Sequence, residues 1–304
     1  MQKVAVFDIG TARTKLTIAS QSEEKIVVEK WKMDTNLGDL FSTGYHADLT
    51  VKSSRLLRES LLSLSKNIKD PENTHRMSIL TEVFREFPNL INEIENMSDI
   101  IGTPKVISGH DEGLLFYKSI SNVLNNPDFA LLDVGGGSIQ LTYSDQGTIK
   151  VHSLPLGSYK LQALHQANRN KLSESNCLVM KKYVDKMLSQ HLKENLKKDY
   201  LVLGSNCMER FLLAAMDKAG IKFKKTNNID QVSDLLMGHL INVNYTDQTP
   251  YFPEDPNFMY GADKALIVAL SVAKCIGVRS IIPTDESLSS SLAKQTLTNT
   301  HPSL

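Results

Sequence analysis

The sequence predicts an α/β protein of two similar lobes, each a mixed sheet covered by helices, with a cleft between them. Strand-like and helix-like segments alternate along the chain, which is the pattern of sheets covered by helices. Two stretches share one grammar: a strand ending in aspartate, a glycine-containing turn, and a second strand. They stand 125 residues apart, Asp8 to Asp133, in a chain of 304. That is a domain's length, as a distant internal duplication would give.

The opening run to Phe7 reads as a strand rather than a signal peptide, because Asp8 and Gly10 interrupt it within a few residues. Val4-Ala5-Val6-Phe7-Asp8-Ile9-Gly10-Thr11 followed by Lys15-Leu16-Thr17-Ile18-Ala19 makes the first hairpin, and a third strand runs from Lys25 to Trp31. Leu56, Leu57, Leu61, Leu62 and Leu64 recur at helical spacing and predict a helix over 51–67. A strand over 77–80 follows, then helical pieces to Met97 interrupted at Pro88, a strand over 104–107 and a helix over 109–124. Phe129-Ala130-Leu131-Leu132-Asp133-Val134-Gly135-Gly136-Gly137-Ser138 with Leu141-Thr142-Tyr143 makes the second hairpin, and 151–156 a further strand. Ser173-Glu174-Ser175-Asn176 suits the start of a long helix over 173–196. Strands over 200–203 and 280–282 and helices over 208–219, 230–240 and 261–276 complete the pattern, with 249–256 an irregular, proline-rich loop. Residues 1–122 form the first lobe and 123–304 the second, with the last helix able to return to the first.

With 41% hydrophobic residues, each half can bury its own core. No stretch approaches the roughly 20 apolar residues of a membrane span. Cys177, Cys207 and Cys275 fit no disulfide framework and no CxxC metal site, so a reducing cytoplasm is the simplest setting. The formal net charge is zero, which excludes a general field for a long polyanion and argues against a nucleic-acid partner. Lys181, Lys182, Lys186, Lys193, Lys197 and Lys198, with Lys222, Lys224 and Lys225, read first as solvated helix faces and second as an anion groove.

The glycine run Gly135-Gly136-Gly137-Ser138 lets a backbone approach a ligand closely and aim its amides at one oxyanion, which is how a turn cradles phosphate. A tight hairpin that merely needs positive φ is the plainer alternative. Gly10-Thr11, a domain's distance away, strengthens the phosphate reading. Each turn follows an aspartate at a strand end, Asp8 and Asp133, and two carboxylates facing a phosphate can hold Mg²⁺ through its waters.

Four blocks resemble, in order and spacing, the signature of the exopolyphosphatase/guanosine pentaphosphate phosphohydrolase family. They are Asp8-Ile9-Gly10-Thr11, Ile107-Ser108-Gly109-His110-Asp111-Glu112, Asp133-Val134-Gly135-Gly136-Gly137-Ser138 and Ser153-Leu154-Pro155-Leu156-Gly157-Ser158. The length resembles short members without the HD-type domain, so His110-Asp111 is a chance HD pair. The resemblance implies the ribonuclease H-like lobes of actin-like ATPases, a Mg²⁺ cofactor, and polyphosphate or a phosphorylated guanosine nucleotide as partner. It implies no membrane partner and leaves a homodimer open. It also implies that Glu112, with Asp111 beside it, activates water against the terminal phosphorus, and that Arg85 contacts phosphate. Acidic residues are equally common in first helical turns for capping alone, and a solvated arginine is the alternative for Arg85.

This chain departs from the resembled pattern at several points. Ala12-Arg13 replaces Asn-Ser, Gln140 replaces a glutamate, Tyr260 an arginine, and Asn206 stands where a second glycine is expected. Arg13 and Lys15 offer compensating cations, since a guanidinium can clamp phosphate bidentately. Three function classes follow: a Mg²⁺-dependent phosphoanhydride hydrolase, a non-catalytic phosphate or nucleotide sensor, and an ATP-dependent small-molecule kinase. The Ser-Gly-x-x-Glu and Ser-Leu-Pro-Leu-Gly blocks weigh against the kinase.

Overall fold

The structure, a computed structural model, describes residues 3–22, 25–43, 47–124, 128–165, 170–192, 196–205 and 207–298, the side chains of 42–49 apart. Asn206 and Lys193 lie outside the described residues. The chain divides into two compact units, Met1–Ser119 with Ser287–Leu304, and Ile120–Glu286.

The first unit holds strands β1 (Lys3–Ile9), β2 (Arg13–Ser22) and β3 (Lys25–Asp34), helices α1 (Asp39–Thr43) and α2 (Ala47–Ser65), and strand β4 (Thr74–Leu80). Short helices α3 (Glu82–Glu86), α4 (Ile91–Glu95) and α5 (Ser98–Ile101) lead to β5 (Pro104–Val106) and α6 (Gly109–Ser121). Its sheet has the order β3-β2-β1-β4-β5. The first three strands run antiparallel, while β4 and β5 run parallel to β1. β1 is buried almost throughout, as expected of a strand covered on both faces. On α2, Leu57, Leu61 and Leu64 face the core with Phe7, Ile9 and Leu16, while Leu62 is exposed.

The second unit holds β6 (Phe129–Val134), β7 (Ile139–Asp145), β8 (Thr148–Leu154), α7 (Ser158–Leu164), α8 (Glu174–His191), β9 (Tyr200–Gly204) and α9 (Met208–Lys218). It continues with β10 (Asn227–Asn228), α10 (Ile229–Leu235), α11 (Tyr245–Gln248), α12 (Met259–Cys275) and β11 (Ser280–Thr284). Its sheet runs β8-β7-β6-β9-β11-β10. Apart from the added β10, this repeats the order and the strand directions of the first sheet. The duplication expected from the two hairpins is thus a duplication of whole sheets. α12 is buried on nearly every side and forms the spine of this core with α8.

Helix α13 (Leu288–Leu297) joins the first unit, packing on β1 and β2. Small buried serines allow the close approach, and Thr17 hydrogen-bonds Ser289 at 3.1 Å.

Most elements start and stop near their expected positions. Ser173 does cap α8, its Oγ accepting from the Asn176 amide at 3.2 Å. The helix expected over 230–240 instead passes into a π turn at Leu236–Leu240. The 249–256 loop is more ordered than its prolines imply. Thr249–Tyr251 and Pro256–Phe258 are single 3₁₀ turns, and buried Phe252 packs edge-on against Phe211. Lys182 and Lys186 are exposed and Lys181 pairs with Asp185 at 3.0 Å, the solvated-face reading of that helix.

Candidate functional site

The two hairpin turns are built alike. In the first, the Gly10 amide donates to the Arg13 carbonyl at 3.0 Å; in the second, the Gly135 amide donates to the Ser138 carbonyl at 2.9 Å. The tip carbonyls are tied back to the turns' own unit. Thr11 O accepts from Gly38 N at 2.9 Å, and Ala12 O accepts from Thr35 N and Asn36 N, each at 3.0 Å. Gly135 O accepts from Ser158 N at 3.0 Å, and Gly136 O accepts from Tyr159 N and Lys160 N at 2.9 and 3.2 Å. By contrast, the main-chain N–H groups of Thr11, Ala12, Gly136 and Gly137 donate to nothing among the described residues. A turn with fixed carbonyls and amides not claimed by other protein groups is suited to an oxyanion.

Gly157 explains why the second turn needs the Ser-Leu-Pro-Leu-Gly block. Its backbone is extended (φ −65°, ψ 156°), so left-handed geometry is not the constraint. A Cβ there would stand 2.4 Å from the Gly136 carbonyl carbon and oxygen and from the Gly137 carbonyl carbon. Gly157→Ala is therefore expected to push the turn aside, costing about 1–3 kcal/mol as an overpacked site does, and to weaken phosphate binding. Thermal melts and calorimetry with tripolyphosphate check this. Unchanged values in both would show that the contact does not set the turn.

Opposite each aspartate in the strand register stands a hydrogen-bond donor. Asp8 pairs with Lys15, whose ammonium lies 3.3 Å from its carboxylate. Asp133 pairs with Gln140, whose Nε2 donates to Ser138 Oγ at 3.0 Å and lies 3.4 Å from Ser153 Oγ. Arg13, beside the first turn, donates Nε to Asp34 at 2.7 Å across the β2–β3 ladder. Among the described residues there is no group of three or more His, Cys, Asp or Glu able to hold a metal. Within each unit the turn offers one carboxylate, which fits a Mg²⁺ bound mainly by substrate oxygens and water and does not fit an all-protein cage.

The Ser-Gly-x-x-Glu block folds as a capped helix start. Ser108 Oγ accepts from the Asp111 amide at 3.0 Å and donates to the Asp111 carboxylate at 2.7 Å. That bond is the main cause holding the exposed Asp111 carboxyl below its usual range, so Asp111 is an ionised partner of the capping Ser108. One residue on, Glu112 is 9% exposed, with its amide bonded to the Ser108 carbonyl at 3.0 Å. Arg85 bridges two carboxylates and a carbonyl. It donates to Glu82 at 2.6 Å, to Glu112 at 3.3 Å and to Ile107 O at 2.7 Å. Its positive charge compensates a carboxylate that would otherwise be costly so far from water.

In the first unit the structure brings Arg85 and Glu112 together, and Asp8 with Lys15; Asp111 turns to its cap. Sequence reasoning missed Glu82 and Asp34. The i,i+3 spacing of Glu82 and Arg85 was a usable signal, but nothing short of strand register could pair Arg13 with Asp34, 21 residues on.

Comparison with known proteins agrees with this architecture. An exopolyphosphatase from Cytophaga hutchinsonii superimposes with a TM-score of 0.80 at 15% identity, covering 98% of each chain. An exopolyphosphatase-like protein gives 0.79 at 18% identity, again over 98% of each. The Aquifex aeolicus member of the Ppx/GppA family gives 0.72 at 19% identity over 99% of each. At these identities the structures establish the shared fold, which is the actin-like ATPase fold. The family itself is established by sequence, since the model of the Ppx/GppA phosphatase family matches residues 18–244. A chain with both duplicated sheets and this match over most of its length belongs to the Ppx/GppA phosphatase family.

Proposed function

We propose that the protein hydrolyses terminal phosphoanhydride bonds of inorganic polyphosphate or guanosine pentaphosphate. The observation that carries this reading is the pair of turns whose carbonyls are tied down and whose amides at Thr11, Ala12, Gly136 and Gly137 stay unclaimed. Such donors are aimed before substrate arrives and need no reorganisation as charge shifts onto the phosphoryl oxygens.

Glu112 orients a water molecule and accepts its proton as the oxygen attacks the terminal phosphorus. The bond to the bridging oxygen breaks, and that oxygen leaves with the shortened chain, giving orthophosphate. Arg85 keeps the Glu112 carboxylate in place through its bonds at 3.3 and 3.4 Å. Asp8 in the first unit and Asp133 in the second are each proposed as a carboxylate that would bind Mg²⁺, which when bound neutralises charge on the phosphate oxygens. Zero net charge favours short polyphosphate or a nucleotide over very long chains. A cytoplasmic setting accords with the three free cysteines.

A phosphate-release screen of polyphosphates and guanosine tetra- and pentaphosphate with Mg²⁺ tests the reading. Release above background from at least one class supports it, and equal background from all rejects it. Arg13 is proposed as an added phosphate contact, because it stands beside the first turn and a guanidinium's planar fork can clamp a phosphate bidentately. Arg13→Ala is expected to weaken tripolyphosphate binding roughly 10- to 100-fold. Calorimetric affinity equal to wild type would remove Arg13 from the site.

A further inference from the structure

The core of the second unit holds a charge that the hydrolytic reading leaves unused. Lys264, near the start of α12, is fully buried, and each of the three hydrogens of its ammonium has an acceptor. They are the Asp263 carboxylate at 2.9 Å, the Tyr260 carbonyl at 2.6 Å and the Tyr245 hydroxyl. Asp263 is equally enclosed, accepting from the Lys264 amide at 2.8 Å and from the Tyr245 hydroxyl at 3.0 Å. An ion pair this deep is a poor way to gain stability, since apolar side chains of similar volume often hold a core as well or better. What a fully satisfied ammonium adds is direction, because it fixes one carbonyl in one place.

The Tyr260 carbonyl belongs to the peptide unit that runs into Gly261, and Gly261 lies against the start of α7. A Cβ on Gly261 would stand 3.0 Å from Ser158 Oγ and 3.3 Å from Ser158 Cβ, so Ser158 closes directly on the bare backbone of α12. Ser158 also opens the row of α7 amides that hold the glycine turn. Its N–H donates to Gly135 O at 3.0 Å, and the next, of Tyr159, donates to Gly136 O at 2.9 Å. Three consecutive contacts, all inside the second unit, therefore lead from Lys264 to the turn.

We infer that Lys264 is a positioning residue for the second turn: by pinning the Tyr260–Gly261 peptide it sets where α7 begins, and so where the Gly136 and Gly137 amides point. Fully enclosed, Lys264 touches no ligand itself. Asp263 and Tyr245 hold its ammonium in place. The inference rests on the phosphate role of the second turn proposed above and adds what keeps that turn in register with its ligand.

The test is calorimetric binding of tripolyphosphate, with thermal melts, to wild type, Lys264→Met, the double variant Lys264→Met/Asp263→Asn, and Gly261→Ala. Asp263→Asn relieves the stranded carboxylate but returns no ammonium to the Tyr260 carbonyl. The double variant is therefore expected to melt above the single one, while both bind tripolyphosphate about tenfold or more weakly than wild type. A role confined to core stability predicts instead that affinity returns with the melting temperature. Gly261→Ala, which moves Ser158 directly, is expected to weaken binding to a similar degree. If the double variant binds within about threefold of wild type while Gly261→Ala binds weakly, Lys264 serves the core alone and the inference is wrong, with the turn's role intact. Wild-type affinity in Gly261→Ala breaks the link through Ser158 and overturns it too. Should Lys264→Met fail to fold, the double variant decides. Absence of tripolyphosphate binding by wild type would overturn the phosphate role and the inference together.

Discussion

Glu112→Gln is expected to lower the turnover number for orthophosphate release by roughly 10²- to 10⁴-fold, the range associated with loss of a positioned general base. The exchange keeps the side chain's size and an oxygen able to accept from Arg85, so the local frame of Arg85, Glu82 and Ile107 O is retained. What is lost is a group that can take a proton from water. KM is expected to change little, because the proposal assigns Glu112 to the attacking water and not to phosphate binding. Steady-state kinetics on whichever substrate the screen identifies, beside a thermal melt of both proteins, gives the answer. Turnover within about threefold of wild type would exclude Glu112 as the base.

The largest stability effect is expected far from that helix, at Lys264. Its ammonium is fully buried and donates to Asp263 at 2.9 Å, to the Tyr260 carbonyl at 2.6 Å and to the Tyr245 hydroxyl. It also lies over the Tyr245 ring, 4.5 Å from the centroid, and Tyr245 in turn donates to Asp263 at 3.0 Å. Burial pushes the Lys264 pKa down while the Asp263 charge pulls it back up. Burial, with Asp263 beside it, drives the Tyr245 phenol well above its ordinary range, so it remains a donor.

Lys264→Met would leave the Asp263 carboxylate buried without its cation, which costs about 3–5 kcal/mol. For a unit of this size that is on the order of 10 °C in melting temperature. Adding Asp263→Asn removes the stranded charge and is expected to recover about half of the loss. A single variant melting with wild type, or a double variant no better than the single, would show that the pair contributes little. The cluster stands on the first turn of α12, where Gly261 faces Ser158. A Cβ on Gly261 would meet Ser158 Oγ at 3.0 Å, and the Ser158 amide holds the Gly135 carbonyl.

The internal duplication was readable because it is written in local chemistry. Asp8 and Asp133, Gly10 and Gly135, and Lys15 and Gln140 fall at matching positions of two strand–turn–strand units, and a turn's residue types follow from its own backbone needs. The helix start at Ser173 was readable for the same reason, since a cap acts on amides three residues away. Irregular segments were read less well. The prolines at 250, 253 and 256 announce a break in regular structure but not that Phe252 would be buried between the turns. The π turn at Leu236–Leu240 has no compositional mark.

By itself, the sequence determined the alternation of strands and helices, the paired turns and the types of residue available in them, because each depends on neighbours a few positions apart. Tertiary structure alone decided which polar groups those turns keep and which they give away. Gly157 meets Gly136 across 21 positions, Arg13 meets Asp34 across the β2–β3 ladder, and Tyr245 meets Asp263 through helix packing. Whether a main-chain or side-chain group is already satisfied depends on strand register and on how helices pack. Those are settled only when the core closes, so the unclaimed amides of the two turns are a property of the folded chain.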